Sequence, residues 1–298
     1  MISGNVPKHL VVGARTGFLN GLRRREYEWQ RIAATFNMGA VSEQLVDIGA
    51  APMPKESKGG MTIQDFIERE MTLKPTDWDI TVWISHNAVK DDQTGDLDRR
   101  VRASGENFQK HLNARVFTAL NAGDGTTFGL AYDGQDFFDS DHVDAGADYS
   151  TAQDNEGALV LDLNNFETSL VAAQKFRDDQ GQFTSFNYDL IVVSPELQRE
   201  AANIAENPQD YATANRAVNP FASGLDFIVA PEMDATAYIL IASNESHKPM
   251  IVGMKEQPNL QHAWFDPDQP EGGYFFFKFY ARYEVVYGDW RLAYQGNT

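Results

Sequence analysis

Tyr132-Asp133-Gly134-Gln135-Asp136-Phe137-Phe138-Asp139-Ser140-Asp141-His142 sets two demands against each other within one short stretch. Its aspartates and histidine ask for water or hydrogen-bond partners, while the Phe137-Phe138 pair between them asks for burial. Clustered carboxylate oxygens are what a hard cation wants, and Asp144 extends the run. The spacing is not that of the twelve-residue calcium loop, because no Glu closes it at the right distance. A loop pinned by two aromatics, with its carboxylates accepting from nearby backbone amides, meets both demands. No metal ligand, cofactor ligand or catalytic residue is expected from it.

Upstream, Leu97, Val101, Phe108, Leu112, Val116 and Leu120 recur at helical spacing and predict a helix over Asp96 to Asn121. At 1.5 Å per residue that is a rod of roughly 39 Å, long enough to be the spine of a domain. Gly105 inside it costs about 1 kcal/mol against Ala. Before the rod, Trp78, Ile80, Val82 and Ile84 alternate with Asp79, Thr81, Trp83 and Ser85, the period of a strand. Gln44 to Ile48 is the predicted partner of that strand. Between them lie the breakers Ala50-Ala51-Pro52-Met53-Pro54 and Ser57-Lys58-Gly59-Gly60 and a short helical pattern around Phe66-Ile67. Such an extended hairpin is marginal alone and asks for a neighbouring surface. Gly17 to Met38 reads as an amphipathic helix, with Phe18, Leu22, Trp29, Ile32, Ala33 and Phe36 on one stripe. Arg23-Arg24-Arg25 is the densest basic run of the chain: a solvated face, or an arm that meets an acidic neighbour or packaged nucleic acid.

Downstream the pattern is α+β. Asn121 to Ala158 is irregular, and Leu163 to Phe176 is helical. Tyr188 to Val193 reads as a buried strand, followed by Ser194 as a helix cap with Pro195 at the first position. Leu225 to Ala230, Thr236 to Ala242 and Pro249 to Gly253 are apolar strand candidates. Tyr274 to Tyr280, then Tyr283, Val285 and Tyr287, predict one or two aromatic strands of a central sheet. No repeat and no linker divides the chain, so one interwoven unit with long projections is expected.

Composition narrows the classes. The 298 residues hold 25 Lys and Arg against 43 Asp and Glu, a net charge of −18, which opposes general nucleic-acid binding. With no Cys there is no disulfide, thiolate nucleophile or zinc-thiolate site. No apolar run reaches membrane-spanning length, and the polar start Met1-Ile2-Ser3-Gly4-Asn5 predicts no signal core. Nucleotide-loop, nucleophile-elbow and zinc-helix motifs are absent, and none of the six His is spaced from another like a zinc pair.

The Tyr132 to His142 stretch resembles the Tyr-Asp-Gly-Gln-x-Phe-Phe-Asp-x-x-His-Pro segment of the Mu-like phage major head subunit family, on Tyr132, Asp133, Gly134, Gln135, Phe137, Phe138, Asp139 and His142. Val143 stands where the family has Pro. Ile84-Ser85 with Asp91-Asp92, and Gly288-Asp289-Trp290-Arg291-Leu292-Ala293-Tyr294, are shorter likenesses, with His86 in place of an expected Arg. The resemblance implies an α+β phage capsid fold of the Hong Kong 97 type. It implies an N-terminal arm over 1–40 and an extended loop over 41–85. A peripheral domain would take 86–162 and 254–298 around a spine helix at 96–121, and an axial domain would take 163–253. The implied role is a major capsid protein, not an enzyme, that self-assembles as pentamers and hexamers into an icosahedral shell. That shell would enclose double-stranded DNA without sequence-specific binding, away from any membrane. Scaffold, decoration, portal and maturation-protease proteins are the implied partners. The implied location is the virion, assembled in the host bacterial cytoplasm. Contacts between subunits are expected at Arg23, Arg24, Arg25, Trp29, Lys55, Lys58, Phe66 and Trp78. Alternatives are an encapsulin-type compartment of the same fold, a tail or baseplate protein, and a metal-dependent hydrolase using Asp133, Asp139, Asp141 and His142.

Overall fold

The computed structural model describes residues 6–40, 42–48, 68–91, 95–143, 149, 151–209, 218–222, 224–269 and 272–297. The helices are α1 (Lys8–Leu22), α2 (Trp29–Ile32), α3 (His86–Lys90), α4 (Asp96–Asn121), α5 (Leu163–Ala173) and α6 (Gln198–Ala205). The strands are β1 (Ala33–Asn37), β2 (Glu43–Ile48), β3 (Glu68–Leu73), β4 (Thr76–Ser85), β5 (Glu156–Gly157), β6 (Leu190–Val193), β7 (Asp226–Val229), β8 (Tyr238–Ile241), β9 (Met250–Asp266), β10 (Tyr274–Tyr287) and β11 (Ala293–Gly296). None of the described helices is long and apolar enough to cross a membrane.

Two sheets organise the chain. The first runs β1-β9-β10-β4, with β10 antiparallel to both neighbours and β1 parallel to β9. Alternation along β10 sends Phe275, Phe277, Phe279, Ala281, Tyr283, Val285 and Tyr287 to one buried face, where α4 and α1 cover them. Phe18 of α1 stacks on Phe279, with centroids 4.1 Å apart, and meets Phe108 of α4 edge-on. The second sheet runs β5-β11-β8-β6-β7. Every residue of β6 and β8 is buried, as strands covered on both faces require.

The spine helix has the bounds its periodicity gave. Asp96 and Asp98 sit in its positive first turn and pair with Arg100 and Arg102 one turn on, at 2.7 and 2.5 Å. Gly105 is where α1 crosses it. A Cβ there would overlap the Phe18 carbonyl, and one on Gly21 would overlap the Arg102 carbonyl. The propensity lost at Gly105 is returned as close helix packing.

Four expectations change. Gly17 to Met38 is not one helix and not a free arm. Helix α1 ends at Leu22, and 33–37 leave the helical path to extend the first sheet against β9. Gln44 to Ile48 does not pair with Trp78 to Ser85. It pairs with β3, while β4 takes the edge of β10, where its apolar row matches Phe275, Phe277 and Phe279. The 254–298 segment does not stay with the first sheet, because Ala293 to Gly296 pair with β8 and β5 in the second. Ser194 holds the N-cap position with Pro195 first, as read, but the helix it starts is a 3-10 turn over Pro195–Leu197 ahead of α6, and its hydroxyl donates to the Ala235 carbonyl at 3.2 Å instead of capping with its side chain. Lys55, Lys58, Phe66 and the helical pattern around Phe66-Ile67 lie outside the described residues.

Candidate functional site

The Tyr132 to His142 stretch folds into a closed knot at the C-terminal end of α4. Gly134 takes a positive φ of 84°, which lets Gly134 N–H reach the Ala131 carbonyl and Ala131 N–H reach that of Gln135. Phe137 stacks on Tyr287 at 4.8 Å, and the Tyr287 hydroxyl donates to the carbonyls of Ala119 and Ala122 at the end of the spine. Phe138 fills the space that Gly123 leaves. Both phenylalanines are buried.

The polar half is equally closed. His142 Nδ1 lies 2.6 Å from Asp133 Oδ2, and neither side chain is more than 1% exposed. Its ring stacks on Trp290 at 4.0 Å and 6°. Its Nε2 lies 3.2 Å from Asn155 Oδ1, which also accepts from the Asp139 N–H at 2.9 Å. Asn155 Nδ2 donates to the carbonyls of Phe137 and Trp290, and its own carbonyl accepts from Gln295 N–H at 2.8 Å. The knot therefore ties the loop to the aromatic turn that carries the chain from β10 to β11. Beside it, Arg291 forks onto Asp289 at 2.9 and 3.0 Å. Burial works against the charge of that guanidinium, but the Asp289 carboxylate outweighs it and holds Arg291 firmly protonated.

As chemistry, this is a fastener. Asp133 accepts from Gln135 N–H and Asp139 from Asp141 N–H, the local carboxylate-to-amide bonding expected of an aspartate-rich loop. Asp141 is raised above the usual carboxylate range by its hydrogen bond to Asp139 and that group's charge. The ligand set of the hydrolase reading is spent on internal bonds. Among the described residues no three His, Cys, Asp or Glu side chains converge so as to hold a metal ion.

The expected contact residues are dispersed. Arg24 pairs with Glu106 of α4 at 2.5 Å, a contact that raises the arginine and lowers the glutamate. Arg25 lies over the Tyr27 ring at 4.3 Å. Trp29 is 5% exposed and packs inside its own subunit, so it offers little to a neighbour. Trp78 is half-buried on the covered face of β4, donating from Nε1 to the Tyr283 carbonyl and lying 4.4 Å from the His111 ring.

Two surfaces escaped the sequence reading. On the open face of the first sheet, Trp83 packs edge-on to Tyr274 at 4.9 Å, and Trp264 stacks on Phe276 at 4.9 Å. Trp83 is 53% exposed, and a tryptophan in the polar row of a strand was the available signal. Beside the knot, Asp124, Asp154, Glu156 and Gln295 line a cleft of about 310 Å³. Burial first, then the charges of Asp154, Asp139 and Asp124, push Glu156 above the usual carboxylate range.

Comparison with known proteins places this geometry. A family model described as the Mu-like prophage major head subunit gpT matches residues 8–160, from α1 through the knot. The major head subunit of the Mu-like prophage FluMu from Haemophilus influenzae is 28% identical over 141 residues, 47% of this chain and 45% of that protein. The major capsid protein of Escherichia phage Mu is 29% identical over 135 residues, 45% and 43% of the two chains. In each, the matched stretch spans less than half of the relative's own length. A chain of the bacteriophage JBD30 procapsid superposes with a TM-score of 0.57 at 18% identity, over 98% of this chain and 74% of that one. The fold is the tailed-phage capsid fold of the Hong Kong 97 type.

Proposed function

The chain belongs to the Mu-like prophage major head subunit gpT family, and on that premise we propose that it is a major capsid protein that assembles into the closed icosahedral shell around a phage genome. The observation that carries this reading is the family match across α1, the spine helix and the knot. Its role is structural. Pentamers and hexamers of one chain build the shell, with scaffold, decoration, portal and protease proteins as partners, in a virion assembled in the bacterial cytoplasm. The first sheet with α1 and α4 forms the peripheral domain, and the second sheet, β11 included, forms the axial domain. Residues 41–85 supply the extended loop, which ends in β4 within the first sheet.

Physical features support the reading. A net charge of −18 lets an inner wall face DNA without gripping it. Among the described residues the first sheet is covered on one face, which leaves surface that a lattice can use, and modest contacts suffice when a closed lattice multiplies them. The family match favours a phage shell over a cargo compartment of the same fold. Sedimentation of the purified chain tests the proposal. Particles of hundreds of subunits, or capsomer rings that convert to them, are expected. A single-subunit species at every concentration overturns it.

A further inference from the structure

The hydrogen bonds of the knot fix where its protons lie. Asn155 is fully buried, and its amide fits only one way round. Its Nδ2 donates to the Phe137 carbonyl at 2.8 Å, and its Oδ1 accepts from the Asp139 N–H at 2.9 Å. His142 Nε2 lies 3.2 Å from that same oxygen, so the ring must donate from Nε2. The other ring nitrogen, Nδ1, lies 2.6 Å from Asp133 Oδ2, the short contact of a charge-assisted bond. A neutral imidazole has one N–H and cannot serve both acceptors. Placed on Nδ1, that hydrogen leaves the Nε2 lone pair against the Asn155 oxygen. Placed on Nε2, it leaves the Nδ1 lone pair against a carboxylate. Neither side chain is more than 1% exposed, so water cannot relieve either clash. The pair needs one more proton than a neutral histidine and an ionised aspartate bring.

The ring is the better home for that proton. It stacks on the Trp290 indole at 4.0 Å and 6°, and an aromatic face attracts a cation. The Asp133 carboxylate faces it, with Oδ1 accepting from the Gln135 N–H. Asp139 and Asp141 of the same loop and Glu156 of β5 stand around the pair, and Asp141 and Glu156 both feel a positive charge on the ring. Arg291, in the turn that carries Trp290, is engaged by Asp289, with Asp179 close to it. An imidazolium against a carboxylate is neutral as a pair, which is what burial of both side chains demands. Above the ordinary histidine value of about 6.5, the same two residues in the unfolded chain carry one proton, against two in the folded chain. Unfolding therefore releases a proton, and stability is lost as pH rises.

We propose that His142 stands in the folded chain as an imidazolium paired with the Asp133 carboxylate, a buried proton lock that alkali opens. The lock fastens the loop to the turn between β10 and β11, where the chain passes from the first sheet to the second, so its opening loosens the seam between them. The inference concerns one subunit and stands apart from the shell reading. Nitrogen-15 NMR of the unassembled full chain, labelled at its six histidines, tests it. His142 is identified by the resonances lost in His142→Gln or, should that variant not fold, by its contact with the Trp290 ring. About one pH unit above the ordinary histidine value, His142 is expected to show protons on both ring nitrogens, and in urea to revert to the neutral ring. A neutral ring of either tautomer in the folded chain overturns the proposal. Urea unfolding at about pH 7 and pH 8 reads the same proton as linkage. The folding equilibrium constant of the wild type is expected to fall close to tenfold more over that unit than that of His142→Gln. Equal slopes overturn the proposal, because a merely structural contact costs the variant the same factor at both pH values.

Discussion

The knot around Phe137 and His142 and the open face around Trp83 lie in one molecule but are built on opposite terms. In the knot Phe137, Phe138 and His142 each have a face or an edge against another ring, and Asp133 and His142 satisfy each other away from water. On the open face, Trp83 packs on Tyr274 and Trp264 on Phe276, but among the described residues no layer lies above these strands. The difference separates what the chain needs in order to fold from what it keeps for use once folded. Burial in the knot is complete within one subunit, so its residues contribute to folding stability. Burial on the open face is incomplete, so its residues contribute little until something else is present.

Substitutions can break that comparison. Phe137→Ala removes a fully buried ring from the stack on Tyr287 and is expected to cost about 3–5 kcal/mol, read by urea unfolding. A smaller loss would mean the knot collapses around the gap and is less rigid than its packing implies. Gly105→Ala forces α1 away from α4 and is expected to cost about 1–3 kcal/mol despite its better helix propensity. Trp83→Ser should change the stability of the unassembled chain by no more than about 0.5 kcal/mol, although a larger ring is lost than at Phe137. A loss comparable to that of Phe137→Ala would show that the open face is part of the folding core.

The smallest effect is one of pH. The Glu156 carboxyl is raised in the folded chain, so the folded state favours its proton. Its contribution to stability is fully present below the ordinary glutamate value of 4.5 and is lost as pH rises through the higher folded value. Glu156→Gln should therefore flatten the fall in melting temperature over that window. An unchanged pH profile would remove the crowding of charge from the account.

Much of this was legible in the residues because the signals were local. The rod at 96–121 had six apolar positions in helical register, and the structure gives the same bounds. The alternation from Trp78 to Ser85 placed Ile80, Val82 and Ile84 on the covered face. The two phenylalanines inside the acidic loop announced an anchor. What could not be read was decided by partners far along the chain. Phe36 sits at helical spacing from Trp29 and Ile32, yet β9 offers its segment a parallel ladder more than two hundred residues away in sequence. Residues 293–296 follow an aromatic strand of the first sheet and still join the second, because Asn155 and β8 supply their hydrogen bonds. Gly105 counted as a propensity cost until the crossing helix gave it a purpose. The acidic cleft was invisible because Asp124, Asp154 and Glu156 meet only when the knot has folded.

Cryo-electron microscopy of the purified, full-length chain tests the central claim most directly. The account predicts hollow, closed particles built of five- and six-membered rings of this subunit, each retaining the sealed knot at the end of α4. A monodisperse single subunit, with no rings or shells at any concentration tried, would contradict it.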